Sequence, residues 1–115
     1  MGIQNWSEDI VLVDMPAEPQ MCEELKAVTE IVRRRGNCDV VIDFADVDII
    51  TSSSIAALLR LCKLVEDCGQ KMILCSVSPA TMGVFTVTGI EEIFEFFDDK
   101  FTALASIQLV AKNQK

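Results

Sequence analysis

Residues 51–54 form an unbroken run of hydroxyl side chains, T-S-S-S, between an acidic loop and a helix-forming segment. The surrounding stretch reads V-V-I-D-F-A-D-V-D-I-I-T-S-S-S-I-A-A-L-L. In the first turn of a helix, backbone N–H groups lack intrahelical partners and the helix dipole is positive. A hydroxyl in that place either caps the helix or carries a phosphate as a switch. A cap contributes about 1 kcal/mol and needs only one hydroxyl, so composition favours the cap and leaves the switch open.

A phosphate on this run would change the surface more than the fold. It would add about −1.5 to −2 charges and three acceptor oxygens. Because anions are tolerated at helix N-termini, we expect the fold to survive the modification. The new charge would lie beside Asp46 and Asp48, where a binding partner must accommodate it. The pattern therefore favours an interaction switch over an unfolding trigger.

Three carboxylates, Asp43, Asp46 and Asp48, follow an apolar strand and could in principle hold Mg²⁺. Strand alternation, however, directs some of them to opposite sides, and the spacing does not match a D-x-S-x-S metal site. The chain also has no glycine-rich phosphate loop. A solvated acidic loop is the favoured interpretation, so we expect neither a metal site nor a cofactor.

The absence of histidine, with a count of 0 among 115 residues, restricts the possible chemistry. It removes the usual proton shuttle near neutral pH, and a Ser-His-Asp or Cys-His nucleophile cannot be assembled. The net charge of −8 argues against binding to nucleic acid or to anionic lipid headgroups. Most routes to an enzyme are therefore closed, and we expect no enzymatic activity and no nucleic-acid partner.

Cysteine usage and hydropathy indicate a cytoplasmic protein. The 5 cysteines are odd in number and include no C-x-x-C pair. No apolar run approaches the roughly 18 residues that cross a bilayer, and the N-terminal residues do not resemble a signal peptide. We expect no membrane insertion.

Elements of alternating type must position the hydroxyl run. Period-two and apolar patterns predict strands at 9–13, 39–44, 71–77 and 94–97. Helical spacing predicts helices at 20–35 and 53–68, a short one at 78–88, and a last one after Asp98 and Asp99. The sequence predicts a single α/β domain over residues 1–115, with a mixed, mainly parallel sheet of about four strands and helices packed over it.

Several of these segments, in order, resemble the STAS domain family, named for sulfate transporters and anti-sigma factor antagonists. Its central pattern is an apolar strand ending in Asp, then I-D-S-S-G-L opening a helix of A-x-L-L type. The corresponding segments here are 41–44 (V-I-D-F), 50–55 (I-T-S-S-S-I) and 57–59 (A-L-L). The likeness continues through 69–74 (G-Q-K-M-I-L), 78–79 (S-P) and 88–90 (T-G-I). It covers residues 39–109 well and the N-terminal third loosely.

The resemblance implies a switch. In free-standing members the second serine of D-S-S-G is phosphorylated by a partner kinase that is also an anti-sigma factor. The unphosphorylated domain binds that kinase and frees the sigma factor. Carried across, the phosphoacceptor is Ser53, with Ser52 and Ser54 as rivals. The implied partner-binding residues are Asp43, Asp46, Asp48, Thr51, Ser52 and Ser54.

Two departures from the family pattern lie within the run itself. Thr51 replaces the family Asp, and Ser54 replaces the family Gly, which adds a rival hydroxyl at the expected surface. The early G-E-L-D segment is absent, and counting back from Leu25 places Glu18 near its acidic position. The alternative is a constitutive STAS adaptor subunit of a lipid-transport ATPase complex, in which the same helix face docks a subunit without phosphorylation.

Overall fold

The computed structural model describes residues 2–113 and the side chains as far as Ile107. It contains five strands, four α-helices and a short 3-10 turn in that range. The strands are β1 (Ile3–Ser7), β2 (Ile10–Asp14), β3 (Asp39–Asp43), β4 (Met72–Cys75) and β5 (Glu95–Phe97). The helices are α1 (Met21–Arg35), α2 (Ser52–Asp67), α3 (Pro79–Val87) and α4 (Lys100–Asn113), and the 3-10 turn is Glu91–Ile93.

Strand order in the sheet follows chain order, β1-β2-β3-β4-β5. The β1–β2 pair is antiparallel, and the other three pairs are parallel. Consecutive parallel strands need a crossover, which α1, α2 and α3 provide in turn. The carboxyl ends of β2, β3 and β4 therefore meet at one edge, where Asp14, Asp43 and Cys75 pair in register.

Alternating side chains divide the buried residues between two faces of the sheet. One face, which carries Val40 and Ile42 of β3, packs against α1, α2 and α3. The opposite face, which carries Val41 of β3, packs against Ala103, Leu104 and Ile107 of α4. Helix α4 is thus separated from helix α2 by the sheet.

Local signals for the helix boundaries act as expected. Met21, Leu25, Val28 and Val32 of α1 are buried, and Gly36 ends the helix with a left-handed φ of 70°. Ser78 caps α3 by accepting a hydrogen bond from the Thr81 N–H at 3.2 Å, with Pro79 at the first helical position.

The predicted fold class is confirmed, and the count of about four strands is roughly right. The additional strand is β1, whose side chains are mostly exposed. β1 is an outer strand of the sheet and pairs only with β2, so its sequence shows little alternation. In the part of the chain that the structure describes, no helix has the length and apolar character that crossing a membrane requires.

Candidate functional site

The hydroxyl run lies at the start of helix α2, and Thr51 provides its cap. Thr51 is extended, with φ −89° and ψ 163°, and its Oγ1 accepts a hydrogen bond from the Ser54 N–H at 3.2 Å. This is the usual geometry of an N-cap, in which the cap oxygen bonds the third N–H of the helix. Because Thr51 alone fulfils the capping role, the serines that follow are not needed for it.

Ser52 and Ser53 occupy the first two positions of α2, and both are exposed. Their backbone N–H groups have no hydrogen-bond partner among residues 2–113, as expected for the first turn of a helix. An anion attached to either side chain would lie beside free donors and the positive end of the helix dipole. The geometry therefore accommodates a phosphate on Ser53 or on Ser52.

Ser54 is not at the surface, which corrects the expectation that it presents a rival hydroxyl there. It is 0 % exposed and lies on the inward side of α2 with Leu58, Leu61 and Val65. These positions follow the helical spacing i, i+4, i+7 and i+11, which places them along one face. A kinase cannot reach Ser54 in this arrangement, and neither can a docking partner.

Glu18, in the connector between β2 and α1, contacts the cap of α2. Its Oε2 accepts hydrogen bonds from the Thr51 N–H at 2.9 Å and from Thr51 Oγ1 at 3.0 Å. Burial raises the pKa of Glu18, but the hydroxyl of Ser54 and the two donors of Thr51 outweigh it and hold that pKa below 4.5. The sequence placed an acidic residue near this region but gave no signal for the contact itself.

Asp43 belongs to a different part of the molecule from the hydroxyl run. Its carboxylate lies on the α4 side of the sheet, 9 % exposed, and its Oδ1 accepts from the Ala45 N–H at 2.9 Å. Lys100, which the sequence did not indicate, lies with its Nζ 3.8 Å from Asp43 Oδ2 and 3.4 Å from Asp14 Oδ1. The structure therefore places the Asp43 carboxylate within the fold, where it holds the loop after β3.

The loop between β3 and α2 presents polar and apolar side chains at once. Asp46 and Asp48 are exposed as expected, and Ile49 is 71 % exposed. Val47 and Ile50 are buried and fix the loop to the core. Ile49 thus presents an apolar side chain between the acids and the serines, and sequence reasoning had not singled it out.

A cavity of about 260 Å³ lies at the carboxyl ends of β2 and β3, on the side of Lys100. Asp14, Met15, Asp43, Ala45, Asp46 and Lys100 line it. Ser52 and Ser53 do not line it, so the cavity and the hydroxyl run are distinct places. Among the described residues, no three carboxylate or thiol side chains are grouped to hold a metal ion.

Comparison with known proteins places this geometry in a family. The anti-sigma factor antagonist SpoIIAA in its unphosphorylated form has the same fold, with a TM-score of 0.73, 16% identity, and coverage of 92% of this chain and 96% of that one. The phosphorylated form of the Bacillus cell fate determinant SpoIIAA matches with a TM-score of 0.70, 16% identity, and coverage of 91% and 96%.

Sequence comparison adds a curated relative and a family. The anti-sigma F factor antagonist of Paenibacillus polymyxa is 24% identical over 82 residues, which are 71% of this chain and 70% of that protein. This relative does not favour the adaptor-subunit alternative. The model of the STAS domain matches residues 20–103, most of the chain, including β3, β4, β5 and the whole of α2. The chain belongs to the STAS domain family.

Proposed function

We propose that residues 1–115 form one cytoplasmic, non-enzymatic STAS domain that acts as a phosphorylation-dependent antagonist of an anti-sigma factor. Its partner is a serine kinase that is also the anti-sigma factor. Ser53 is the phosphoacceptor, and the unphosphorylated surface around it binds the kinase. The observation that carries this proposal is the exposed Ser53 hydroxyl in the first turn of α2, free of any capping duty.

The exposure of the side chains within the hydroxyl run supports Ser53 as the phosphoacceptor and leaves Ser52 as its one rival. Thr51 is committed to the cap, and Ser54 is fully buried. Ser52 is exposed, but it is one helical position nearer to the cap. A phosphate on Ser53 would find the unpaired N–H groups of Ser52 and Ser53 close by, and charge-assisted bonds of that kind are stronger than neutral ones.

The loop beside Ser53 supports a protein partner. Ile49 supplies an exposed apolar contact, while Asp46 and Asp48 supply negative charge at its sides. An apolar centre with a charged rim is the usual composition of a protein interface. A phosphate on Ser53 would add a further anion to this surface, and a partner that fits the uncharged hydroxyl would have to accommodate that charge.

The comparisons support the same function. The sequence relative is named as an anti-sigma F factor antagonist, and SpoIIAA is described in both unphosphorylated and phosphorylated forms. Carrying phosphorylation from those proteins to this chain is our inference.

The direct test is phosphorylation of the purified protein by a candidate kinase with ATP, followed by site mapping with mass spectrometry. We expect one phosphate, on Ser53, and its loss in S53A. S52A serves as the matched control because Ser52 is equally exposed and adjacent. Absence of phosphate from both Ser52 and Ser53 would remove the switch from the proposal.

A binding experiment tests separately whether a charge at position 53 controls binding to the kinase. S53D should weaken kinase binding by about tenfold or more, because a carboxylate placed within the contact surface loses water without gaining a partner. T102D adds the same charge to the first turn of α4, on the other side of the sheet, and should leave binding unchanged. Equal affinities of S53D and the unmodified protein would contradict a phosphate-controlled surface.

A further inference from the structure

The contact between Glu18 and Thr51 joins two segments that are 33 positions apart in the chain. Glu18 Oε2 accepts from both donors of Thr51, and Thr51 Oγ1 in turn accepts from the Ser54 N–H. The three groups form a short chain of hydrogen bonds from the connector into the first turn of α2. Along the chain, Ser53 lies between Thr51 and Ser54, the two residues that form the cap hydrogen bond.

The buried hydroxyl of Ser54 provides a second observation at the same place. Its Oγ has no hydrogen-bond partner of adequate geometry among the described residues, although Ser54 is 0 % exposed. It lies near enough to Glu18 to lower the pKa of that carboxyl. An unpaired buried hydroxyl is costly, so this donor is available to a carboxylate that moves only slightly.

Glu18 lies at the same end of α2 at which an added anion would lie. A carboxylate is stabilised at the positive end of a helix, as a phosphate is. No basic side chain forms an ion pair with Glu18 in the part of the chain that the structure describes. A second anion in the same turn would therefore meet Glu18 without a cation to pair with either of them, and like charges repel.

We propose that the Glu18–Thr51 contact exists only in the unphosphorylated protein, because a phosphate on Ser53 displaces the Glu18 carboxylate from the first turn of α2. Phosphorylation then changes the surface in two ways: it adds a charge and it releases the connector from the cap. This inference rests on Ser53 being the phosphoacceptor, and it adds a residue through which the modification is transmitted.

The release is local, because both ends of the connector are held by other bonds. The Met15 N–H donates to the Asp43 carbonyl at 2.9 Å, and the Glu24 N–H of α1 donates to the Gln20 carbonyl at 3.1 Å. Helices α1 and α2 remain packed through buried side chains that the phosphate does not touch. Only the segment around Glu18 is free to move, so the fold is kept while the surface beside Ser53 is rearranged.

The test needs no kinase, because phosphoserine can be placed at position 53 during translation with an expanded genetic code. Exchange of the Thr51 amide with solvent is measured by NMR in the protein with and without the phosphate. We expect exchange to be about tenfold faster or more with the phosphate, the scale expected for losing a hydrogen bond to a charged group. The pKa of Glu18, followed through its carboxyl carbon, should rise at the same time. An unchanged Thr51 amide would overturn the proposal.

E18Q is the matched variant, since its amide oxygen still accepts from Thr51 but carries no charge. Phosphoserine at position 53 should leave the Thr51 amide of E18Q protected. Equal acceleration in E18Q and in the protein with Glu18 would overturn charge displacement. If the Thr51 amide of E18Q exchanges fast even without the phosphate, the deciding measurement is the pKa of Glu18 in the protein that keeps Glu18. A Glu18 pKa that the phosphate leaves unchanged overturns the proposal. Failure of the kinase assay with success here would reject the proposed function and keep Glu18 as a charge-sensitive contact.

Discussion

The Lys100 ammonium lies 3.8 Å from the Asp43 carboxylate, on the face of the sheet that is turned away from helix α2. Asp43 ends β3, and Lys100 is the first residue of α4. The pair therefore connects the last helix to the loop that leads toward the hydroxyl run, without lying within that run. Its role in this arrangement is to stabilise the fold, and its loss is measurable.

Removing the Lys100 charge should lower stability. In K100M the largely buried Asp43 loses its cation, and we expect a cost of roughly 1 kcal/mol, reduced by the partial exposure of Lys100. For a domain of this size that corresponds to a fall of about 4 °C in melting temperature. Thermal unfolding followed by circular dichroism measures it.

K63M is the control for K100M, because Lys63 forms an exposed pair with Asp67 one helical turn away. Exposed pairs of that kind contribute about 0.3–0.5 kcal/mol. If K63M and K100M destabilise the protein equally, the partly buried position of Asp43 has no special effect.

Removing the Ser54 hydroxyl should raise stability. The hydroxyl is buried and unpaired, so S54A relieves an unsatisfied group, and alanine also favours the helix. We expect a gain of about 1 kcal/mol in the free energy of unfolding, measured by urea titration. S52A, at an exposed position in the same turn, should change it by less than about 0.5 kcal/mol. A loss of stability in S54A would mean that the favourable effect of the hydroxyl on the Glu18 carboxylate outweighs the cost of burying it unpaired.

The Glu18 contact should make stability depend on pH in the acid range. The folded pKa of Glu18 lies below its ordinary value of 4.5, so its contribution is present above that value and is lost as pH falls through the folded pKa. E18A removes both acceptor and charge. The difference in stability between the unmodified protein and E18A should be constant near neutral pH and should shrink below about pH 4.5. Urea titrations at a series of pH values measure this difference in stability. If the difference grows as the pH falls, folding raises the pKa of Glu18 instead of lowering it.

Alkylation should divide the cysteines by burial. Burial, and then the charge of Asp43, raises the pKa of the Cys75 thiol to about 12, and burial with Glu66 raises the pKa of Cys62 to about 11. Thiolates are the reactive form, so iodoacetamide at pH 8 should leave Cys75 and Cys62 unmodified in the folded protein. The half-buried Cys22 and Cys68 should react first. Mass spectrometry of samples quenched at successive times gives the order in which the cysteines react. Full modification of Cys75 in the folded protein would contradict its position in the core.

Local sequence patterns predicted the helices that bury one side against the sheet. The spacing of Met21, Leu25, Val28 and Val32 predicted the inward side of α1, and Gly36 marked its end. These features could be predicted because the apolar period and the left-handed cap depend on neighbours within one or two turns.

The rest depended on contacts between distant segments. Strand β1 forms by pairing with β2, and its own residues carry little pattern. The helical spacing of Ser54 to Leu58 and Leu61 indicates that its side chain is buried. A serine within a hydroxyl run, however, is ordinarily assigned to the solvent-exposed surface. The contact of Glu18 with Thr51 and that of Lys100 with Asp43 join residues that only the tertiary fold brings together.

The agreement between strand order and chain order has a consequence for biosynthesis. Each strand pairs with the edge left by the strand made just before it, and no later segment has to insert between strands already paired. We therefore expect the sheet to grow in one direction as the chain leaves the ribosome, because the N-terminal strands emerge first during synthesis. Helix α4 covers the second face last. Limited proteolysis of stalled nascent chains that end before Lys100 should find β2 and β3 already protected, and cleavage within them would show that assembly waits for the final helix.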